Sequence, residues 1–152
     1  MIKKVSYDHN LLRSNPLFAM LSDAEFQHLC EKSHSHRYQA GQAVVREGEP
    51  ALGLYLLVSG KVKVVKKGVF GRSQIVRMAN SGDLLTYRAV SGIPQYVVSA
   101  MTMEESLVFY LHLENVLDIL KKNGVFAYTI IQKLTQELDN AEKLFAISLK
   151  KQ

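Results

Sequence analysis

The chain has 152 residues, 47% of them hydrophobic and 22% charged, as expected for one globular domain with a proper core. No apolar run approaches the roughly 18–20 residues of a membrane span, and the single cysteine, Cys30, excludes an internal disulfide or a site built from several thiolates. The net charge of +5, from 19 basic and 14 acidic residues, permits contact with nucleic acid or another anion without demanding it.

The N-terminus, "MIKKVSYDHNLLRSNP", lacks an apolar core followed by a small-residue cleavage site, so no signal peptide is expected and a cytoplasmic location is. Residues 1–34 read as an N-terminal helical segment. Pro16 and the surrounding "NPLF" point to a short turn or helix. "SDAE" at 22–25 has the form of a capping box, in which Ser22 accepts from the amide of residue 25 and Glu25 reaches back to the Ser22 amide. Phe26, Leu29 and Cys30 then share one helical face, which makes Cys30 a core residue before a sensor thiol.

Over residues 35–112 the pattern changes to short β-rich runs punctuated by glycines from Gly41 to Gly92: "AVV", "LYLLV", "KVKVVK", "QIVRMA", "YVVSAMT" and "SLVFYLH". In "KVKVVKK" Val62 and Val64 alternate with lysines, as in a strand with one wet face. "KKGVFGR" reads as a hairpin tip with glycines free to take positive φ. Many short strands joined by glycine turns predict a mainly β fold with flanking helices, a sandwich or rolled barrel rather than a parallel sheet. "GDLLTYRAVSGIPQYVVSA" at 82–100 departs from this pattern: about ten of its residues are irregular, more than a plain strand connection needs.

Residues 113–152 return to helical spacing. "LENVLDILKKNG" places Val116, Leu117 and Leu120 on one side, with Asn123-Gly124 as a left-handed stop. A long helix without Pro or Gly follows. Ala127, Ile131, Leu134, Leu138, Ala141 and Phe145 recur in it at alternating spacings of four and three, an a/d seam. Two packings fit: one helix lying along its own domain, or a two-stranded coiled coil between identical chains. Ile130 and Leu144 beside the seam offer a second surface that can pack against the β domain, which favours a homodimer through the seam.

Other chemistry-bearing residues are sparse. His34 and His36 share a strand face but lack the third ligand that a metal site needs, so they read as surface histidines and no metal is expected. No nucleophile–base constellation is visible, so the chain is not expected to be an enzyme.

The ordered set "AGQAVVREGEPALGLYLLVSGKVKVVKKG" followed by "ANSGDLL" and the long helix resembles the sensor half of a Crp/Fnr-family regulator, from about Leu17 to Leu149. The resemblance implies a double-stranded β-helix, a jelly-roll-like β-roll of the cyclic-nucleotide-binding kind, with a dimerisation helix. It also makes residues 82–100 the phosphate-binding cassette. In nucleotide-binding members a short helix offers backbone amides to the cyclic phosphate, a Glu accepts from the ribose hydroxyl, and an Arg followed by Ser or Thr clamps the phosphate. By position, Gly82 and Asp83 form the entry turn, Tyr87 falls at the Glu position, Tyr96 at the Arg position and Val97 at the hydroxyl position. Arg88 beside Tyr87 is either turned inward to an anion or paired with Asp83 at the surface. A phenol supplies no cationic clamp, and each lost charged partner costs about 1.5–3 kcal/mol.

The resemblance thus implies an effector-sensing and dimerisation domain of a transcription regulator, with cyclic AMP or another small anionic effector as the ligand class and a pocket degenerate for nucleotide. Gas-sensing members of the family would make His112 a haem ligand, but no axial pair is identifiable. DNA contact is expected only through a helix-turn-helix domain, absent from a sequence that stops at Gln152, and no membrane contact is expected. The alternatives are a working cyclic-nucleotide module of a partner protein and a ligand-free dimerisation scaffold.

Overall fold

Capping residues, alternation and glycine turns lay down the elements in chain order. The structure, a computed structural model, describes residues 3–5 and 9–150. They form β1 (Lys3–Val5), α1 (His9–Arg13), α2 (Asp23–Cys30), β2 (His34–Tyr38), β3 (Ala43–Val45), β4 (Gly53–Ser59), β5 (Val62–Lys67), β6 (Ser73–Ala79), β7 (Ser99–Thr102), β8 (Ser106–His112), α3 (Leu113–Lys122) and α4 (Gly124–Lys150). Single 3-10 turns lie at Val69–Gly71 and Tyr87–Ser91.

The strands make two antiparallel sheets of four, ordered β1-β2-β8-β4 and β3-β7-β5-β6. This fits the antiparallel β fold expected from the glycine-punctuated runs and the β-roll that the family resemblance implied. Leu54, Leu57, Val62, Ala100 and Phe109 of the two sheets are fully buried, whereas Ile75, Val76 and Met78 of β6 stay exposed. Burial of such side chains stabilises each by about 1.5–3 kcal/mol. Gly53 opens β4 where no side chain fits: a Cβ there would lie 2.6 Å from the Leu111 carbonyl oxygen and closer still to the Tyr110 ring.

The capping box forms as expected. Glu25 N donates to Ser22 Oγ at 3.1 Å, and Ser22 N donates to Glu25 Oε1 at 2.8 Å. Leu29 is buried, with Phe26 and Cys30 packed partly against the core; burial pushes the Cys30 thiol up to about 11, which keeps it protonated and unreactive.

Three expectations are corrected. The N-terminal segment is not only helical, because β1 pairs with β2 at the edge of the first sheet. The "YVVSAMT" strand is shorter than its sequence: Tyr96 N donates to Glu49 O and Gly48 N to Tyr96 O, which ties Tyr96 to the 48–50 segment instead of to the β7 ladder, and β7 begins at Ser99. Asn123 does not end α3 in a left-handed conformation. Its backbone is extended, and its Oδ1 accepts from Phe126 N at 3.0 Å, so it starts α4 while Gly124 becomes helical.

α4 buries Phe126, which stacks on Phe18 of the N-terminal segment, and Ile130 in the core, and presents the rest of its length more openly. Ile130 packs inward as the sequence implied, whereas Leu144 stays exposed. Among the described residues no helix is long and apolar enough to cross a membrane.

Candidate functional site

The 82–100 stretch is zipped onto β4 before it turns. Gly82, at φ +94°, donates its N–H to Leu57 O at 2.7 Å. Leu57 N donates to Asp83 O at 2.9 Å, and Leu85 N to Tyr55 O at 2.8 Å. Positive φ makes Gly82 the residue that the turn requires. The Asp83 carboxylate accepts from Asn80 N at 2.9 Å and closes the same turn. Leu84 and Leu85 are buried beneath it. A 3-10 turn, Tyr87–Ser91, then ends at Gly92 in the left-handed region.

Above this stretch lies a cavity of about 340 Å³, between β5, β6, the 85–98 segment and α4, within the size of ligand pockets in general. Tyr87, Arg88, Tyr96 and Val97 all line it. Four of the six pocket residues named from sequence therefore converge, while Gly82 and Asp83 shape the entry from outside.

The two tyrosines are committed to backbone. Tyr96 Oη donates to Gly53 O at 2.7 Å and accepts from Gly53 N at 3.3 Å. Tyr87 Oη accepts from Leu84 N at 3.4 Å. Both rings are buried, and burial pushes both hydroxyls up, so they are neutral phenols at physiological pH. Arg88 is exposed, and among the described residues it forms no ion pair with Asp83.

The cavity's charged interior comes from residues that sequence reasoning missed. Arg77 of β6 donates through one terminal nitrogen to Leu84 O at 3.1 Å and Leu85 O at 3.0 Å. Its guanidinium lies over the Tyr87 ring at 5.7 Å from the centroid, and its Nε is 3.3 Å from Glu137 Oε1 of α4. Burial pushes the Glu137 carboxyl up, against the opposing pull of Arg77 and Arg88. Thr86 is buried and lines the same cavity. The signal for Glu137 was present: it falls in line with Ile130, Leu134 and Ala141 at helical spacing, a carboxylate in the domain-facing stripe.

The helix seam divides between two surroundings. Ile131, Leu138 and Phe145 are 60%, 59% and 66% exposed. Leu134 is half-buried against the core, Ala127 is half-buried, and Ala141 lines the cavity. The histidines sit elsewhere. His34 stacks on Tyr110 at 4.6 Å, and His112 Nδ1 lies 3.3 Å from Tyr110 Oη. Among the described residues no three His, Cys, Asp or Glu side chains gather to hold a metal ion.

The family comparison matches the cyclic nucleotide-binding domain over residues 35–123. The chain belongs to that family. It is 30% identical to the sensor domain of the transcriptional regulator DNR from Pseudomonas aeruginosa, with a TM-score of 0.75 over 86% of this chain and 87% of that one. It is also 21% identical, over 86% of its length, to the cyclic AMP receptor protein of Thermus thermophilus, and 36% identical, over 53% of its length, to the cAMP-dependent protein kinase regulatory subunit of Eremothecium gossypii. The similarity to Crp/Fnr-type regulators read from the sequence is borne out. The chain spans 61% of the Thermus protein and 17% of the Eremothecium protein.

The Tyr96 clasp carries a stability prediction. Tyr96→Phe leaves the buried Gly53 amide and carbonyl without their hydroxyl partner, at a cost of about 1–3 kcal/mol. Urea unfolding followed by far-UV circular dichroism checks it. A loss below about 0.5 kcal/mol would mean that the clasp contributes no more than an ordinary surface contact.

Proposed function

We propose that the chain is the effector-sensing and dimerisation domain of a cytoplasmic Crp/Fnr-type transcription regulator, with a cyclic-nucleotide pocket that has lost its nucleotide-specific groups. The observation that carries this reading is the clasp of Tyr96 on Gly53. At the position where nucleotide-binding relatives are expected to hold an arginine, a neutral phenol spends both its donor and its acceptor on backbone. The carry-over of Tyr87 to the ribose-binding carboxylate position and of Val97 to the hydroxyl position supports the same conclusion. None of Tyr87, Tyr96 and Val97 can hold a cyclic phosphate by charge.

The sensing mechanism follows from the cavity's walls. One wall is the roll and the other is α4, through Glu137, Asn140 and Ala141. An occupant therefore touches both the sensor and the dimerisation helix, and differential contact with two helix positions shifts their populations. In a full-length regulator that shift would reorient DNA-reading helices carried beyond α4.

Dimerisation is supported by the exposed stripe of Ile131, Leu138 and Phe145, three large apolar side chains in line on a helix whose opposite side already packs on the roll.

Two measurements test the proposal. Titration calorimetry with cyclic AMP should give no heat of binding up to about 0.1 mM, and micromolar affinity would contradict a degenerate pocket. Light scattering at micromolar protein should give a dimer mass for the wild type and a monomer mass for Leu138→Glu, where a carboxylate would be buried unpaired in the seam at a cost of several kcal/mol. A wild-type monomer would remove dimerisation from the account.

A further inference from the structure

Resting on the reading of the roll as an effector-sensing domain, the cavity's own atoms narrow the class of effector. Its walls are mainly apolar: Val64, Val76, Met78, Leu85, Ile93 and Val98. Its buried cation is already engaged. Arg77 is held by two carbonyls and by Glu137, with its face on Tyr87. Arg77 and Arg88 both act on the Glu137 carboxyl, opposed by its burial and by Asp83. An incoming anion would meet the Glu137 carboxyl in a poorly solvated interior whose buried cation, Arg77, is already committed, while Arg88 is exposed to solvent.

Two oxygens among the walls make no hydrogen bond. Thr86 Oγ1 and Glu137 Oε1 are buried, and neither has a hydrogen-bond partner among the described residues. Glu137 Oε1 lies 3.3 Å from Arg77 Nε, an ion pair without hydrogen-bond geometry. A buried carboxyl oxygen and a buried hydroxyl left in this state are costly; an occupant that donates a hydrogen bond relieves the first, and the hydroxyl can accept from the same donor. We propose that this cavity binds a compact, mainly apolar molecule that carries an N–H donor and no negative charge, with Glu137 Oε1 and Thr86 Oγ1 as the polar contacts. The apolar walls take the body of the molecule and the two oxygens orient its donor. Because Glu137 belongs to α4, the donor end reports directly to the dimerisation helix.

The test uses the full chain and three probes of nearly one shape: indole, 1-methylindole and indole-3-carboxylate. The protein contains no tryptophan, so emission excited at the red edge of tyrosine absorption comes from the probe alone. Indole should bind with a dissociation constant at or below about 1 mM, with a blue-shifted emission. 1-Methylindole, which keeps the body and loses the donor, should bind about tenfold more weakly or worse, and indole-3-carboxylate should also bind more weakly than indole. Thr86→Val, a change of similar volume, should weaken indole several-fold and leave 1-methylindole unchanged; its circular dichroism checks that it folds.

Equal affinity for indole and 1-methylindole would overturn the assignment of the two oxygens. Absence of any shift with the folded protein would overturn the proposal altogether. Tighter binding of indole-3-carboxylate, with cyclic AMP silent, would overturn the uncharged-donor class while leaving the sensing domain standing. Micromolar binding of cyclic AMP would instead overturn the degenerate pocket from which this inference starts.

Discussion

The Arg77 guanidinium sits where β6, the 82–91 stretch, the Tyr87 ring and α4 meet, and each of its contacts fixes one of them. Two donated hydrogen bonds hold the Leu84 and Leu85 carbonyls. The face of the guanidinium lies on Tyr87, and its Nε meets Glu137. Arginine suits this junction because its charge is permanent and its planar fork can donate along an edge while stacking on a ring. The cost of placing a charge there is offset only when every neighbour is in position. Cassette, roll and helix are thus bound to a common arrangement, and a shift of α4 changes the environment of the cation that anchors the cassette.

Much of the fold was legible in the sequence because its signals are local. A capping box names its own partners, and the Ser22–Glu25 pair formed as read. Alternation in "KVKVVKK" placed β5, and the "KKGVFGR" tip formed the expected hairpin. The misreadings came where a long-range bond overrode a local preference. Tyr96 to Val98 look like strand residues, yet Tyr96 is tied to Gly48, Glu49 and Gly53 across the chain. Asn123 does stop α3, but in an extended and not a left-handed conformation, as its side chain caps α4 and reaches Glu25 of α2, 98 residues away.

The candidate site was half legible. Its cassette residues stood out because they interrupt a regular pattern. The three polar groups that give the cavity its character did not, since Arg77 and Glu137 sit inside regular elements and Thr86 is an unremarkable hydroxyl. Their meaning depends on which elements face one another. The α4 stripe shows the same limit: Leu134 and Ala141 belong to the a/d spacing and also to the side that meets the roll. A helix that serves two surfaces has an overlapping periodicity, and spacing alone cannot divide it.

The coupling of cassette to helix through Arg77 is tested most directly by a double-mutant cycle. Arg77→Gln, Glu137→Gln and the double variant would be compared with the wild type in urea unfolding. The side chains are only 21% and 26% exposed, so solvent screens the pair weakly, and a coupling energy of about 1 kcal/mol or more is predicted. Additive effects, with a coupling near zero, would mean that Arg77 does not join α4 to the pocket, and the account of how an occupant reaches α4 would fail.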